Sequence, residues 1–177
     1  LIYFCAIDQY YPIMKNFYRF IFIITTTILL IPTSCNFHCV NPEGPIITDN
    51  RIMKSFVGIN ISIPANVKLI IGEEPGITIT APESYVDAIT TSITNDKLII
   101  VGDVCKADNN DIKIEITTTE IEFIKVSGSA NLFSDSPLKS KDLELKVNGS
   151  GSISLSVFTN EIDGDINGSG NIILNGT

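Results

Sequence analysis

One short sequence pattern occurs three times near the end of the chain. The copies read IEFIKVSGSANLF, LELKVNGSGSISL and IDGDINGSGNIIL. Val126, Val147 and Ile166 occupy the same place in each copy, at spacings of 21 and 19 residues. A period near 20 residues, with two short strands around one glycine-rich turn, is typical of a β-solenoid, in which each repeat forms one coil.

Apolar and polar residues also alternate before the repeats, as in the run Ile59, Ile61 and Ile63. Period-two alternation of β-branched residues predicts β-strands. We therefore predict an all-β fold over residues 51–177, a right-handed parallel β-helix with coils of about 20 residues, preceded by an irregular β region. In the first repeat Glu122 falls on the inward face, which predicts a β-bulge or a register shift there.

The repeated turns contain the residues that tight corners need. Glycine adopts positive φ without steric cost, and asparagine tolerates unusual backbone angles. We predict that the coil corners are formed by Asn148, Gly149, Gly151, Asn167, Gly168 and Gly170. If the coils stack, Asn148 and Asn167 are also placed to form an amide ladder.

The N-terminal part has the order of an export signal. Residues 1–13 precede the first Met and are interpreted as translated sequence upstream of the true start. Residues 14–34 carry two basic residues, an apolar run of 12 residues and small residues, which is the pattern of a secretory signal peptide. We predict that residues 35–50 form a lipid anchor at Cys35 and a tether.

Charge excludes one large class of partner. After Cys35 the chain has 10 Lys and Arg against 19 Asp and Glu, and it contains no basic cluster. Nucleic-acid binding requires a positive surface against phosphate, so we expect no nucleic-acid partner. Apart from contact with a membrane through the anchor, the expected partner is a glycan or a protein.

Two further cysteines follow the anchor position. In an exported protein Cys39 and Cys105 can pair as a disulfide, or both can remain free thiols. The sequence leaves both alternatives open, because it does not fix the distance between the two Cα atoms.

Asp163, Asp165 and Asn167 match the D-x-D-x-N-G start of a calcium loop. However, Leu174 stands where the loop needs a glutamate, and alternate residues of a strand point parallel rather than converge. We therefore predict no metal site and no cofactor, and these three residues are the ones that would hold calcium.

Stacked coils would also place Glu144 beside Asp163 and Lys146 beside Asp165. Such an outward carboxylate pair is the basis of an alternative function, a polysaccharide-active β-helix enzyme. A single carboxylate pair without Arg or His makes a poor active site, so a solvated charged face is the favoured interpretation. The only histidine, His38, lies in the predicted tether.

The order of motifs from residue 39 onward resembles the head GIN domain family of auto-transporter adhesins. The matching segments are IIGEEPGITITAP, DKLIIVGD, IKIEITTTEIEFIKVSGSANL and the two NGSG turns. The Cys35-x-x-x-Cys39 spacing is similar to lipoprotein members of that family. The resemblance implies an exported, surface-associated β-helical domain and supplies no catalytic residues.

The predicted function is accordingly that of a non-enzymatic lipoprotein at the outer membrane or cell surface. It would act as an adhesin or as a surface module that binds a glycan or a protein. The third repeat stops where the second continues through Ser156, Val157 and Phe158, so we also expect a further coil beyond residue 177. We expect Gly170 to Leu174 to form an open edge that favours self-association.

Overall fold

The computed structural model describes residues 39–104 and 111–176. Fourteen strands and one short helix make up this part of the chain. The strands are β1 Ile46–Ile52, β2 Gly58–Ile61, β3 Asn66–Ile71, β4 Gly76–Pro82, β5 Ile89–Thr94, β6 Lys97–Gly102, β7 Lys113–Thr118, β8 Phe123–Gly128, β9 Asn131–Ser134, β10 Leu138–Lys139, β11 Asp142–Gly149, β12 Ser152–Phe158, β13 Glu161–Gly168 and β14 Asn171–Gly176.

The helix α1 spans Glu83–Ala88, within the segment of weak helical spacing that lies between β4 and β5. No helix in the two described ranges combines the length and the apolar character that a membrane span needs. β1 begins at Ile46, so the end of the segment predicted as a tether belongs to a sheet.

The strands form two mixed sheets. In the eight-stranded sheet the order is β1-β4-β7-β3-β9-β12-β10, and β14 pairs with β12. In the six-stranded sheet the order is β13-β11-β8-β2-β6-β5. Pairing is antiparallel for β1 with β4, β4 with β7 and β5 with β6, and parallel for the other strand pairs.

The prediction of an all-β fold is confirmed, but the right-handed parallel β-helix was wrong. In a β-helix every coil stacks on the preceding one, so the strand order in each sheet follows the chain order. Here β2 and β3 lie inside their sheets, and the strands that follow them in sequence lie on both sides. The region before the repeats is not irregular, because it supplies regular strands to both sheets.

One cause of the error is a hairpin that periodicity does not reveal. β5 and β6 are joined by Asn95 and Asp96, whose φ angles are 50° and 56°. Two consecutive residues with positive φ form the tight turn that matches the twist of an antiparallel hairpin. Asn and Asp are the non-glycine residues that tolerate this conformation, so the Asn-Asp dipeptide was a usable signal.

The core lies between the inner faces of the two sheets. Alternate strand residues point inward, and they are almost entirely aliphatic, as in Ile59, Ile61, Ile114 and Ile116, each at most 1% exposed. Tyr85 of α1 is fully buried against the same core. One apolar cluster therefore joins residues from both sheets and the helix.

The predicted bulge in the first repeat is present at the start of β8. The backbone N–H groups of Glu122 and Phe123 both donate to the Val57 carbonyl oxygen, at 2.8 and 3.3 Å. Two residues thus face one residue of the partner segment. Glu122 is exposed as a result, while Ile121 and Ile124 on either side are buried.

Candidate functional site on the outer face of the six-stranded sheet

The outer face of the six-stranded sheet carries most of the polar residues that the sequence singled out. Strand pairing aligns its side chains in two rows. The first row is Lys97, Gly58, Phe123, Glu144 and Asp163, and the second is Ile99, Asn60, Lys125, Lys146 and Asp165. We call these two rows the charged face.

The register explains why residues distant in sequence meet there. Neighbouring strands lie about 4.8 Å apart, and every second residue points outward. The predicted neighbours Glu144 and Asp163, and Lys146 and Asp165, are paired across β11 and β13. The lysine side of the face lies on β6, β8 and β11, and the carboxylates lie on β11 and β13.

On the lysine side an ammonium group rests on an aromatic ring. Lys97 Nζ lies 3.6 Å from the centroid of the Phe123 ring, and Lys146 Nζ lies 5.9 Å from it. Gly58 stands between Lys97 and Phe123 in the row, and a Cβ there would lie 2.7 Å from Lys97 Cγ. The missing side chain thus gives Lys97 room to reach the ring, which stabilises it by a cation–π interaction.

Lys125 is placed differently. Among the described residues, no carboxylate lies within ion-pairing distance of Lys125 or of Lys97. Lys125 instead stands directly beside Lys146 on the adjacent parallel strand. Like charges side by side across two strands are destabilising, so this position concentrates positive charge at a cost in stability.

Asn60 lies next to Lys125 on the other side, in the same row. Its Oδ1 atom is buried and has no hydrogen-bond partner within the described part of the protein. A buried acceptor without a donor is unfavourable by roughly 1–3 kcal/mol. Within the described residues, the lysine side of the charged face therefore contains two lysines without an ion-pair partner and one buried acceptor without a hydrogen-bond donor.

The carboxylate side is partly neutralised by one lysine. Lys146 forms an ion pair with Glu144. The hydrogen bond and the charge of Glu144 raise the pKa of Lys146 above its usual value, and the charges of Asp165 and Asp163 add to the effect. One ammonium group thus interacts electrostatically with three carboxylates.

The three residues of the calcium-like motif lie on one strand, β13, and do not converge on a point. Asn167 Nδ2 donates to Asp165 Oδ2 at 3.1 Å and to Asn148 Oδ1 at 3.5 Å. Across residues 39–104 and 111–176, no group of three or more acidic, His or Cys side chains is arranged to hold a metal ion.

The repeated glycines divide into two kinds. Gly149 and Gly168 have φ angles of 125° and 133°, in the region that favours glycine. Gly151 and Gly170 do not have positive φ, contrary to the expectation for all four glycines. A Cβ on Gly151 would collide with the carbonyl oxygen of Ala130, and a Cβ on Gly170 with that of Gly151.

The other predicted residues fall near the limits of the described chain. Cys39 is disulfide-bonded. Its expected partner, Cys105, lies outside the described residues, although Val40 N donates to the carbonyl oxygen of Asp103 at 2.7 Å nearby. Cys35 also lies outside the described residues, so lipid attachment there stays a prediction.

Sequence reasoning missed Lys97, Asn60, Phe123 and Lys125 as members of one surface. Period-two alternation does place each of them on the outer side of its strand. However, β2, β6 and β8 are not consecutive in the chain, and their mutual register follows only from the sheet order.

The outer face of the eight-stranded sheet is built differently. Its hydroxyl and amide groups bond to each other, as in Thr48 with Thr80 at 3.0 Å and Ser152 with Asn131 at 2.8 Å. Lys68 is paired with Asp135 at 2.6 Å. These polar groups are already satisfied within the protein, whereas several on the charged face are not.

Comparison with known families identifies the family of this chain. Residues 55–177 match the family model described as "Putative auto-transporter adhesin, head GIN domain". The chain belongs to this family. The resemblance drawn from the motifs is confirmed, and membership of an adhesin family indicates an exported or surface protein.

Solved structures of other proteins show the same fold. The chain is 23% identical to a putative adhesin from Parabacteroides merdae, with a TM-score of 0.69 over 76% of this chain and 58% of that one. It is 17% identical to a putative adhesin from Parabacteroides distasonis, with a TM-score of 0.69 over 77% and 59%.

A third structure, a putative lipid binding protein from Parabacteroides distasonis, is 20% identical, with a TM-score of 0.70 over 79% of this chain and 62% of that one. The chain thus spans less than two thirds of each of these three relatives. No curated protein matches the sequence.

Proposed function

We propose that the protein is a non-enzymatic adhesion module that contacts its partner through the charged face. Family membership supports the adhesion function. The observation that carries the choice of surface is the contrast between the two outer faces. Lys125 stands beside a second lysine, Lys146, on the charged face, whereas the exposed Lys113 of the eight-stranded sheet stands beside Asn66 and Thr80.

Unsatisfied polar groups on a rigid sheet favour binding. A side chain that is already held by a neighbour must break that contact before it binds a ligand, which reduces the net gain. Lys125 keeps its hydrogen-bond donors available, and Lys97 is held over the Phe123 ring rather than by a carboxylate. The sheet also holds both residues in place before binding, so little backbone entropy is lost on contact.

The alternative of a polysaccharide-active enzyme has less support. The groove beside the carboxylates, of about 550 Å³, is lined by Glu122, Lys141, Asp142, Leu143, Glu144, Glu161 and Asp163. Glycoside hydrolysis needs one carboxyl group held protonated and another ionised. Glu144 is ion-paired with Lys146, Asp163 is exposed on β13, and the groove lining contains no buried carboxyl group.

We further propose that the protein is exported by residues 14–34 and anchored by a lipid at Cys35, at the outer membrane or cell surface. The charged start, the apolar run and the cysteine support this proposal. An anchor at this position would hold the folded domain at the membrane and leave its sheets free to contact other surfaces.

Bead retention tests the adhesion surface. Beads coated with the protein are passed over mucin-coated and collagen-coated glass, and Ser127→Tyr is compared with Ser154→Tyr. Both serines are half-buried and point outward, Ser127 in the row next to the charged face and Ser154 on the eight-stranded sheet. Tyrosine suits an outward strand position, so both variants should fold.

We expect Ser127→Tyr to remove most of the retention and Ser154→Tyr to leave it unchanged. The reverse pattern would place the contact on the other sheet. Retention that neither variant changes, or no retention of the wild-type beads, would contradict the proposal.

The anchor is tested by expressing the full chain with its own leader in the presence of labelled palmitate. We expect the protein to incorporate the label and to partition into detergent, and Cys35→Ala to do neither. Equal labelling of Cys35→Ala would exclude this anchor.

A further inference from the structure

We propose that the lysine side of the charged face binds the acidic sugar units of a polysaccharide. Lys97 and Lys125 would bind the carboxylate groups. This inference rests on the proposed adhesion function and assigns a ligand class to that surface.

Charge complementarity is the first argument. The chain has a formal charge of −8, yet Lys125 and Lys146 lie on neighbouring strands of one sheet, and Lys97 lies on the same face beyond β2. Lys146 is partly neutralised by Glu144, and Lys125 stands beside Lys146 without a carboxylate of its own in the described chain. A bound anion removes the repulsion between the two lysines, so the site favours a negatively charged ligand.

The aromatic ring adds a feature typical of sugar binding. Phe123 is partly exposed and carries the Lys97 ammonium group at 3.6 Å from its centroid. Its ring holds Lys97 without consuming its donors in an ion pair. The ring edge and the lysine stem together offer apolar surface to the C–H groups of a sugar.

The experiment measures binding of the protein to immobilised polygalacturonate, whose units are acidic sugars. The matched ligand control is the same polymer after full methyl esterification, which removes the charge and keeps the sugar backbone. The variants are Lys125→Ala, Lys97→Ala and the conservative Lys125→Arg. Lys113→Ala is the protein control, because Lys113 points outward from the eight-stranded sheet.

We expect the wild-type protein to bind polygalacturonate and not its methyl ester. Lys125→Ala and Lys97→Ala should each weaken binding by about tenfold, the loss typical of one charged hydrogen bond. Lys125→Arg and Lys113→Ala should bind as the wild type. Binding should also weaken as salt is raised, because the lysines are partly solvent-exposed.

Three results would overturn the inference: equal binding of the methyl ester, unchanged binding of Lys125→Ala, or a loss of binding in Lys113→Ala. Vesicles that contain phosphatidylserine form a separate arm. If they bind the protein through Lys97 and Lys125 and polygalacturonate does not, the ligand is a lipid headgroup and the sugar assignment is wrong.

Bead retention separates this inference from the adhesion function. If Ser127→Tyr abolishes retention on mucin but polygalacturonate neither binds nor competes, the charged face is the adhesion surface and the ligand class is wrong. If polygalacturonate binds through Lys125 but bead retention is insensitive to Ser127→Tyr, the acidic-sugar site stands and the adhesion surface is wrong.

Discussion

The strands before and after residue 120 are held in place by different means. From β8 onward, equivalent strands stack in parallel at spacings of 19 and 21 residues, and turn glycines let one backbone approach the next. From β1 to β7, strands pair in both directions, and individual side chains make the connections. Repeated turns thus order the strands from β8 onward, and specific contacts order the strands from β1 to β7.

The two regions differ in the residues whose substitution would reduce stability most. In the repeats these are glycines at positions of close backbone approach, such as Gly151 and Gly170. In the earlier region the guanidinium group of Arg51 donates to the carbonyl oxygens of Val86 and Ile89, at 3.3 and 3.0 Å, and so joins β1 to α1 and β5.

The first and largest prediction concerns Gly151→Ala, which tests close stacking in the repeats. The added Cβ collides with the Ala130 carbonyl oxygen, and a backbone atom cannot rotate away. We expect the free energy of unfolding to fall by about 3 kcal/mol, at the upper end of overpacking effects. Urea denaturation measures it.

Gly76→Ala is the matched control in the antiparallel region, because a Cβ there lies 3.4 Å from the nearest atom, the Arg51 carbonyl oxygen. It should change stability by less than about 1 kcal/mol. Equal losses in the two variants would remove the proposed difference between the regions.

Arg51→Met tests the side-chain connections of the earlier region. Arg51 is 23% exposed and also pairs with Asp49, at 2.7 Å. Its loss leaves the Val86 and Ile89 carbonyl groups without this donor, and we expect about 2 kcal/mol of destabilisation. Hydrogen exchange should increase in α1 and β5 more than in β11 and β12, and uniform exchange across the protein would argue against a local connection.

Thr118→Val removes a single buried hydroxyl group. Thr118 is fully buried, and its Oγ1 donates to the Phe56 carbonyl oxygen at 2.7 Å and to that of Glu120 at 3.1 Å. Because valine has the same shape, the loss should be about 1–2 kcal/mol, measured by thermal and urea unfolding. Thr80→Val, on the exposed face, should be close to neutral, and a larger loss there would contradict this interpretation.

The smallest effect is expected for Lys146→Met in the repeats. Glu144 raises the pKa of Lys146 above 10.5, so the folded state binds this proton more tightly than the unfolded state. The contribution of Lys146 is therefore present below pH 10.5 and is lost as the pH rises through the higher folded-state value. The stability difference between wild type and variant should shrink over that range, and a difference that grows would contradict the ion pair.

The repeats also end differently from the rest of the core. Ile162 and Ile166 of β13 are 37% and 45% exposed, whereas the equivalent residues of β11, Leu143 and Val147, are at most 2% exposed. β13 pairs only with β11, and β14 only with β12, among the described strands. These two strands lie at sheet edges, as do β1 and β5.

The sequence by itself determined the all-β class, the inward residues of nearly every strand and the register of the last repeats. Alternation identifies Leu143, Leu145 and Val147 as inward because a strand has only two sides, and all three are buried. The repeat length aligns Glu144 with Asp163 because identical turns return the chain to the same place. These features follow from local rules that act over a few residues.

Only the tertiary structure decided where the first strands lie. β2 pairs with β6 on one side and with β8 on the other, across separations that carry no repeated pattern. Packing of the shared core selects that order, since many aliphatic strands of similar length would fit each position equally well. The assembly of Lys97, Asn60 and Lys125 into one surface depends on this choice, which is why the sequence did not reveal it.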